Sequence, residues 1–315
     1  MVCINRETGT ALKGVAILMI LLGHTNYFIW GGAGGVVLFL ILSGYGLNVS
    51  VREKGLCGYW ENRIRKVWLP YVFVGVINVL AGKAHGFKAI LCTITGLDLG
   101  LITDRTMWYV SFIFVWYIAY YLLVLFTKQF QKMAVSSVIV VAGLLIVAFL
   151  VRRLFYNTSL WNYPSGAARY VLGFPIGVIL GEVAQIRINK EIKDWFWAIL
   201  LLLLLAYVIA NYGQTFNTQM GLALGVLPIL ASQLMAPGIF IKRILLWFGR
   251  YSYPIYLFEG ILLEVRYKWF YMLENPILID IAFFIASSTI AYIYWNGIYK
   301  NVDRLLPARV AKMNG

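Results

Sequence analysis

Long apolar runs separated by short polar connectors set the pattern of this chain. Ten runs predict helices, at 11–30, 33–51, 67–82, 107–126, 133–151, 168–186, 195–211, 218–236, 251–265 and 277–298. Most approach the ~20 apolar residues that a helix needs to cross a hydrocarbon layer. The third and ninth are short. The connector from Lys83 to Thr106 is long, and residues 88–102 within it read as an interfacial helix or a re-entrant piece.

Composition turns this pattern into a class. The chain has 315 residues, 61% of them hydrophobic and only 13% charged, with a mean hydropathy of +0.78. Soluble domains run near 45–50% apolar and about 25% charged, and a soluble fold of this length has no interior able to hide the excess. A cytosolic enzyme, a disordered chain and a secreted disulfide scaffold are all excluded. The expectation is an all-α, polytopic integral membrane protein of about ten transmembrane helices. It forms a single domain over residues 1–315, with no room for a separate soluble one. The N-terminal apolar run outlasts a signal peptide and shows no clear cleavage site. Neither an internal repeat nor a matched pair of broken helices points to a transporter.

The net charge of +14 would suggest nucleic acid in a soluble chain. Here topology explains it, because Lys and Arg are retained on the cytoplasmic side, and no nucleic-acid partner is expected. With the N-terminus inside, nineteen of the 27 basic residues fall on the inner side. The outer side keeps Lys83, Lys88, Arg105, Arg152, Arg153, Arg169, Arg266 and Lys268. Both termini are therefore expected in the cytoplasm of a multi-pass cell-membrane protein. Cys3, Cys57 and Cys92 lie far apart without metal-binding spacing, so neither a disulfide nor a metal site is expected.

Ionisable residues inside spans are costly and become functional candidates. His24, Glu182 and Glu259 are the ones placed there, with Lys13 at the cytoplasmic end of the first span. Lys13 and His24 are eleven residues apart, three turns plus only ~20°, so one face carries both, about 16 Å apart along the axis. A lone histidine on an apolar helix is more often a structural partner than a catalyst, yet within a membrane it needs a reason to be there. Glu182, near the inner end of its span, is expected to meet loop cations such as Arg187.

The run from Trp60 to Tyr71 brings Arg63, Arg65 and Lys66 to the inner mouth before Pro70, with Arg63 and Lys66 three apart on one helix face. Such a cluster suits phosphates, and it equally suits a topogenic loop touching anionic lipid. Gly31–Gly35 reads as a tight outer turn, and Ser43, Gly44 and Gly46 allow close approach of helices or of a ligand chain. Ser43 and Asn48 are available as hydrogen-bond donors in the second span. Tyr27, Trp30, Trp108, Tyr109, Trp161, Tyr163, Arg169 and Tyr170 fall at the outer face, either as an aromatic belt or as a sugar-holding surface.

Several segments resemble the membrane-bound acyltransferase-3 family. They are Leu12–His24 (a basic residue, ten intervening residues and a histidine), Phe39–Leu47, Arg63–Tyr71, Met107–Val110 and Gly249–Glu259. The first seventy residues carry the specific part. The resemblance implies a ten-span enzyme moving an acyl group, commonly acetyl, from cytoplasmic acyl-CoA to a hydroxyl of an envelope or exported saccharide. No tightly bound cofactor is implied beyond the acyl-CoA substrate.

By that resemblance His24 is the catalytic residue, and Lys13, Arg63 and Lys66 bind the donor. Arg65 is an alternative in register, and Ser43 joins the donor site. Trp108, Arg169 and Tyr170 are candidates for the acceptor. Glu259 is a second catalytic candidate, orienting the imidazole or stabilising its cation; a protonated structural role stays open. Many relatives have a histidine where this chain has Glu259. Some carry an extra hydrolase-like domain that this chain lacks, so the membrane domain itself would acylate the acceptor. The rival reading is a secondary transporter or flippase of lipid-linked saccharides using His24 and Glu259 as a proton relay. A lipid-binding scaffold would leave His24 idle.

Overall fold

A computed structural model of the chain describes residues 4–25, 30–97, 104–128, 133–155, 169–185, 194–211, 218–268 and 275–300. Among these residues the regular structure is entirely helical. The helices are α1 (Arg6–Gly23), α2 (Gly31–Lys54), α3 (Tyr59–Arg63), α4 (Leu69–Leu80), α5 (Phe87–Thr95) and α6 (Trp108–Thr127). They continue with α7 (Met133–Phe155), α8 (Gly173–Gln185), α9 (Asp194–Ala210), α10 (Thr218–Leu234), α11 (Ile239–Lys268) and α12 (Pro276–Tyr294). Among the described residues four stretches are long and apolar enough to cross a membrane: Gly31–Lys54, Trp108–Thr127, Val135–Phe155 and Pro276–Tyr299. Shorter apolar helices cover Gly173–Ala184, Phe196–Ala210 and Gln219–Leu234. Tyr27, Trp161, Tyr163, Arg187, Cys3, Arg304, Arg309 and Lys312 lie outside the described residues.

The chain divides into two compact units. The first holds residues 1–53, 116–157 and 165–250; the second holds 54–115, 158–164 and 251–315.

In the first unit, α1 begins at Arg6 rather than at residue 11. Asn5 caps it, its Oδ1 accepting from the Thr8 amide at 2.8 Å, and a side-chain cap fixes a helix start wherever it satisfies an orphan amide. The helix ends at Gly23, short of the expected residue 30. Gly31–Gly35 is the second correction: these glycines open α2 as helix and do not form a turn. Close packing demands Gly34 and Gly35. A Cβ on Gly23 would overlap the backbone of Gly32, and one on Gly35 would overlap the carbonyl of Ala16. Gly44 lies equally tight on the Phe174 carbonyl of α8, whereas Gly46 faces open space. The apolar core around Leu12, Ala16, Val37, Leu38, Ile41 and Tyr45 grows from these contacts. In the sequence α7 and α9 look uniformly apolar, and large side chains such as Ile146, Phe149, Leu202, Leu203 and Ile209 remain exposed on them.

In the second unit, α3 and α4 join through a π-helical turn, Ile64–Trp68. Pro70 gives the reason. It has no amide to donate to the Lys66 carbonyl, and its ring crowds that carbonyl. One wider turn, closed by the Leu69 amide on the Ile64 carbonyl, absorbs the conflict. The turn is fastened by Trp68 Nε1, which donates to the Thr95 carbonyl at 2.9 Å, and by Tyr253 Oη, which donates to the Val67 carbonyl at 2.6 Å. Helix α5 occupies the long connector and packs on α4, where Gly75 meets the Thr93 carbonyl. The expected ninth run, 251–265, is the C-terminal half of the thirty-residue α11.

Candidate functional site

His24 is the C-cap of α1, half-buried, with φ −87° and ψ −8°, and its amide bonds back to the carbonyls of Ile20 and Leu21. It therefore stands at the end of the helix, beside the Gly23–Gly32 backbone contact, and not at mid-helix. Lys13 is exposed and stands in the third turn of α1, not at its start. Between them on the same face lie Ile17 and Ile20, both buried. The register read from the sequence is kept, because residues 13 to 23 are unbroken helix. Ser43 sits half-buried in α2.

The first unit also holds a half-buried ionic network. Arg52 of α2 donates to Glu182 Oε1 of α8 from Nε at 2.9 Å and from Nη2 at 2.7 Å. Asn48 Nδ2 donates to the same oxygen at 2.7 Å and to Tyr120 Oη at 3.3 Å. Ser137 of α7 donates to Glu182 Oε2 at 2.6 Å. Glu182 thus meets Arg52, and Arg187, its expected partner, is outside the described residues. Both amide protons of Asn48 are committed here, so Asn48 is not the available donor that its place in the second span suggested. Gly181 makes room for its side chain, since a Cβ there would press on Asn48.

Arg63, Arg65 and Lys66 belong to the second unit. The Arg63 guanidinium lies over the Tyr59 ring, 5.1 Å from its centroid. Arg65 Nη1 is 3.5 Å from Glu61 Oε1, one turn back. Lys66 is exposed within the π turn. The π turn shifts the register, so the three-residue spacing of Arg63 and Lys66 no longer measures an α-helical face.

Glu259 is buried in α11, 1% exposed. Nearby is a carboxyl that the sequence reading passed over. Asp104 is 7% exposed, and its Oδ1 accepts from the Thr106 amide at 3.0 Å and from Thr106 Oγ1 at 2.7 Å. Tyr256 Oη donates to the Thr106 carbonyl at 2.7 Å. The Asp104 carboxyl rests directly on Gly260, where any Cβ would overlap it. Burial raises its pKa above the ordinary aspartate value, opposed by the Thr106 hydrogen bonds and by Lys83. It is close enough to act electrostatically on Glu259. The missed signal was the capping pattern Asp104-Arg-Thr-Met just before an apolar run. A second missed acid, Asp280 of α12, is buried and pairs with Arg266 at 2.6 Å and 3.0 Å.

Trp108 opens α6 half-buried, its ring 6.2 Å from Tyr109 and 5.7 Å from Phe112. Arg169 and Tyr170 precede α8, and Tyr170 packs against the core of the first unit. His24, Lys13, Ser43, Arg169 and Tyr170 thus belong to the first unit, and Arg63, Arg65, Lys66, Trp108 and Glu259 to the second. Among the described residues no group of three or more His, Cys, Asp or Glu could hold a metal ion.

No curated protein and no solved structure gives a significant match to this chain. The family comparison is decisive where those are silent, and it favours group transfer over transport. The model of the acyltransferase domain matches residues 10–296, so the chain belongs to the acyltransferase-3 family and is an acyltransferase.

Proposed function

We propose that this acyltransferase lies in the cell membrane, crosses it about ten times with both termini in the cytoplasm, and transfers an acyl group, most simply acetyl, from acyl-CoA to a saccharide hydroxyl. His24 is the general base. The observation that carries this is its placement: of the two histidines, it is the one held in the helical scaffold, whereas His85 is exposed in a connector.

A sugar hydroxyl is a poor nucleophile until a base takes its proton, and imidazole has an acid constant suited to that. The hydroxyl oxygen bonds to the thioester carbonyl carbon as its proton passes to His24. The tetrahedral oxyanion then collapses, the carbon–sulfur bond breaks, and the imidazolium returns the proton to the CoA thiolate. Lys13, Arg63 and Lys66, with Arg65 and Ser43, are the proposed donor contacts. Trp108, Arg169 and Tyr170 are the proposed acceptor contacts, and Glu259 is the proposed second catalytic group.

The test is CoA release from acetyl-CoA by membranes that make the protein, with mass analysis of acylated glycans. His24→Ala should abolish transfer while leaving insertion and thermal unfolding nearly unchanged. Near-wild-type turnover in that variant would remove His24 from the chemistry, and no acyl-CoA consumption by the wild type would remove the donor.

A further inference from the structure

We infer that Arg6, Lys13, Arg243 and Arg250 form one phosphate-binding patch in the first unit. Two glycines bring α1 and α11 together. A Cβ on Gly14 would overlap the Leu245 carbonyl, and a Cβ on Gly249 would overlap the Thr10 carbonyl, so α1 and α11 meet backbone to backbone. Glu7 and Lys242, each seven residues before its glycine, pair at 3.0 Å. Equal steps along both helices mean that the two run in the same sense.

Side-chain directions follow. At about 100° per residue, Lys13 is turned one step back from Gly14, and Arg250 one step forward from Gly249. On parallel helices in contact, these two steps lead to the same side. Arg6 and Arg243, seven residues earlier on each helix, return to those faces to within about 20°. All four residues are exposed. Lys242 is instead turned inward, onto Glu7.

The charge balance is one-sided. Residues 6–13 and 239–250 carry five cations and a single carboxylate, and that carboxylate is engaged by Lys242. Helix packing holds Arg6, Arg243 and Arg250 near one another, and a bound anion would relieve the repulsion among these guanidinium groups. Three of the four are arginines, whose planar forks match phosphate oxygens two at a time. Arg6 and His24 are eighteen residues apart, five turns of helix, so the patch continues the face that ends in the proposed base.

The ligand chemistry is a phosphate ester. It comes either from the phosphates of the CoA donor, a source that rests on the proposed function, or from anionic lipid headgroups. The experiment reconstitutes the full chain in phosphatidylcholine nanodiscs and titrates CoA against wild type, Arg243→Gln, Arg250→Gln and the double variant. A parallel arm adds phosphatidylglycerol and counts retained lipid by native mass spectrometry. Lys88→Gln, an exposed cation of the second unit, is the control, and thermal unfolding confirms that each variant folds.

For the donor source, each substitution should weaken CoA binding about tenfold, the double variant more, and added salt should weaken wild type most. For the lipid source, CoA binding stays level while phosphatidylglycerol retention falls in the Arg variants alone. Unchanged binding in both arms, or an equal effect from Lys88→Gln, overturns the patch. A wild type that retains phosphatidylglycerol through the patch yet binds no CoA would instead refute the donor of the proposed function.

Discussion

The two units bury polar groups in opposite ways. In the first, Arg52 and Glu182 carry opposite charges and every oxygen of the carboxylate accepts, from Arg52, Asn48 or Ser137. Four helices contribute, so the network fastens α2, α6, α7 and α8 to one another. In the second, buried carboxyls lie close together. Asp104 acts on Glu259, and Lys83, the cation nearest in effect to Asp104, pairs with Glu264 at 2.8 Å. Thr106 serves one oxygen of Asp104, while the other has no hydrogen-bond partner among the described residues. An opposite-charge network with its bonds made is an assembly device. Like charges kept in burial cost stability, and that cost is the usual mark of a working site.

The comparison breaks first at Glu182. Glu182→Ala strands a partly buried guanidinium and should cost about 3–5 kcal/mol, read as a large drop in thermal unfolding temperature in detergent. Arg52→Met with Glu182→Leu should recover most of it, since an apolar pair removes both the charges and their desolvation. A loss no greater than that of a surface substitution would mean that the network does not hold the helices.

The next effect is at Gly260. Its alanine variant drives a Cβ into the Asp104 carboxyl and should cost about 1–3 kcal/mol. Combined with Asp104→Ala, it should cost less than the sum of the two single changes, because the clash needs both side chains. Strict additivity in a double-mutant cycle would separate the two residues.

The smallest effect is in pH dependence. Burial raises the Asp104 pKa in the folded state, so the folded chain binds more protons than the unfolded one above the ordinary aspartate range. Stability is then highest at low pH and falls as pH rises through that window. Asp104→Asn keeps an acceptor for Thr106 and should flatten this fall. Parallel stability profiles for variant and wild type from about pH 4 upward would assign the titration to another group.

Much of this was legible in the amino-acid order, for local reasons. Apolar runs declared the helices, and eleven residues of unbroken helix placed Lys13 and His24 on one face whatever surrounds them. Helix ends were less legible. Asn5 starts α1 early through a cap, and Pro70 forces a π turn that changes the spacing on which the Arg63–Lys66 reading relied. The glycines at 31–35 read as a turn because glycine is ambiguous in sequence; only the approach of α1 shows that Gly34 and Gly35 are there to lack a Cβ. Asp104 read as a connector residue, since burial is not a local property.

The sequence by itself determined the helical class, the acyltransferase family through its ordered motifs, and the face that joins Lys13 to His24. Each depends on composition or on residues within a few turns of one another. The tertiary structure alone decided that Glu182 meets Arg52 across 130 residues, that Asp104 is pressed onto Gly260, and that Lys13 and Arg250 share one side of a helix pair. Those facts depend on which backbones approach closely enough to exclude a Cβ, a distance that no spacing along the chain encodes.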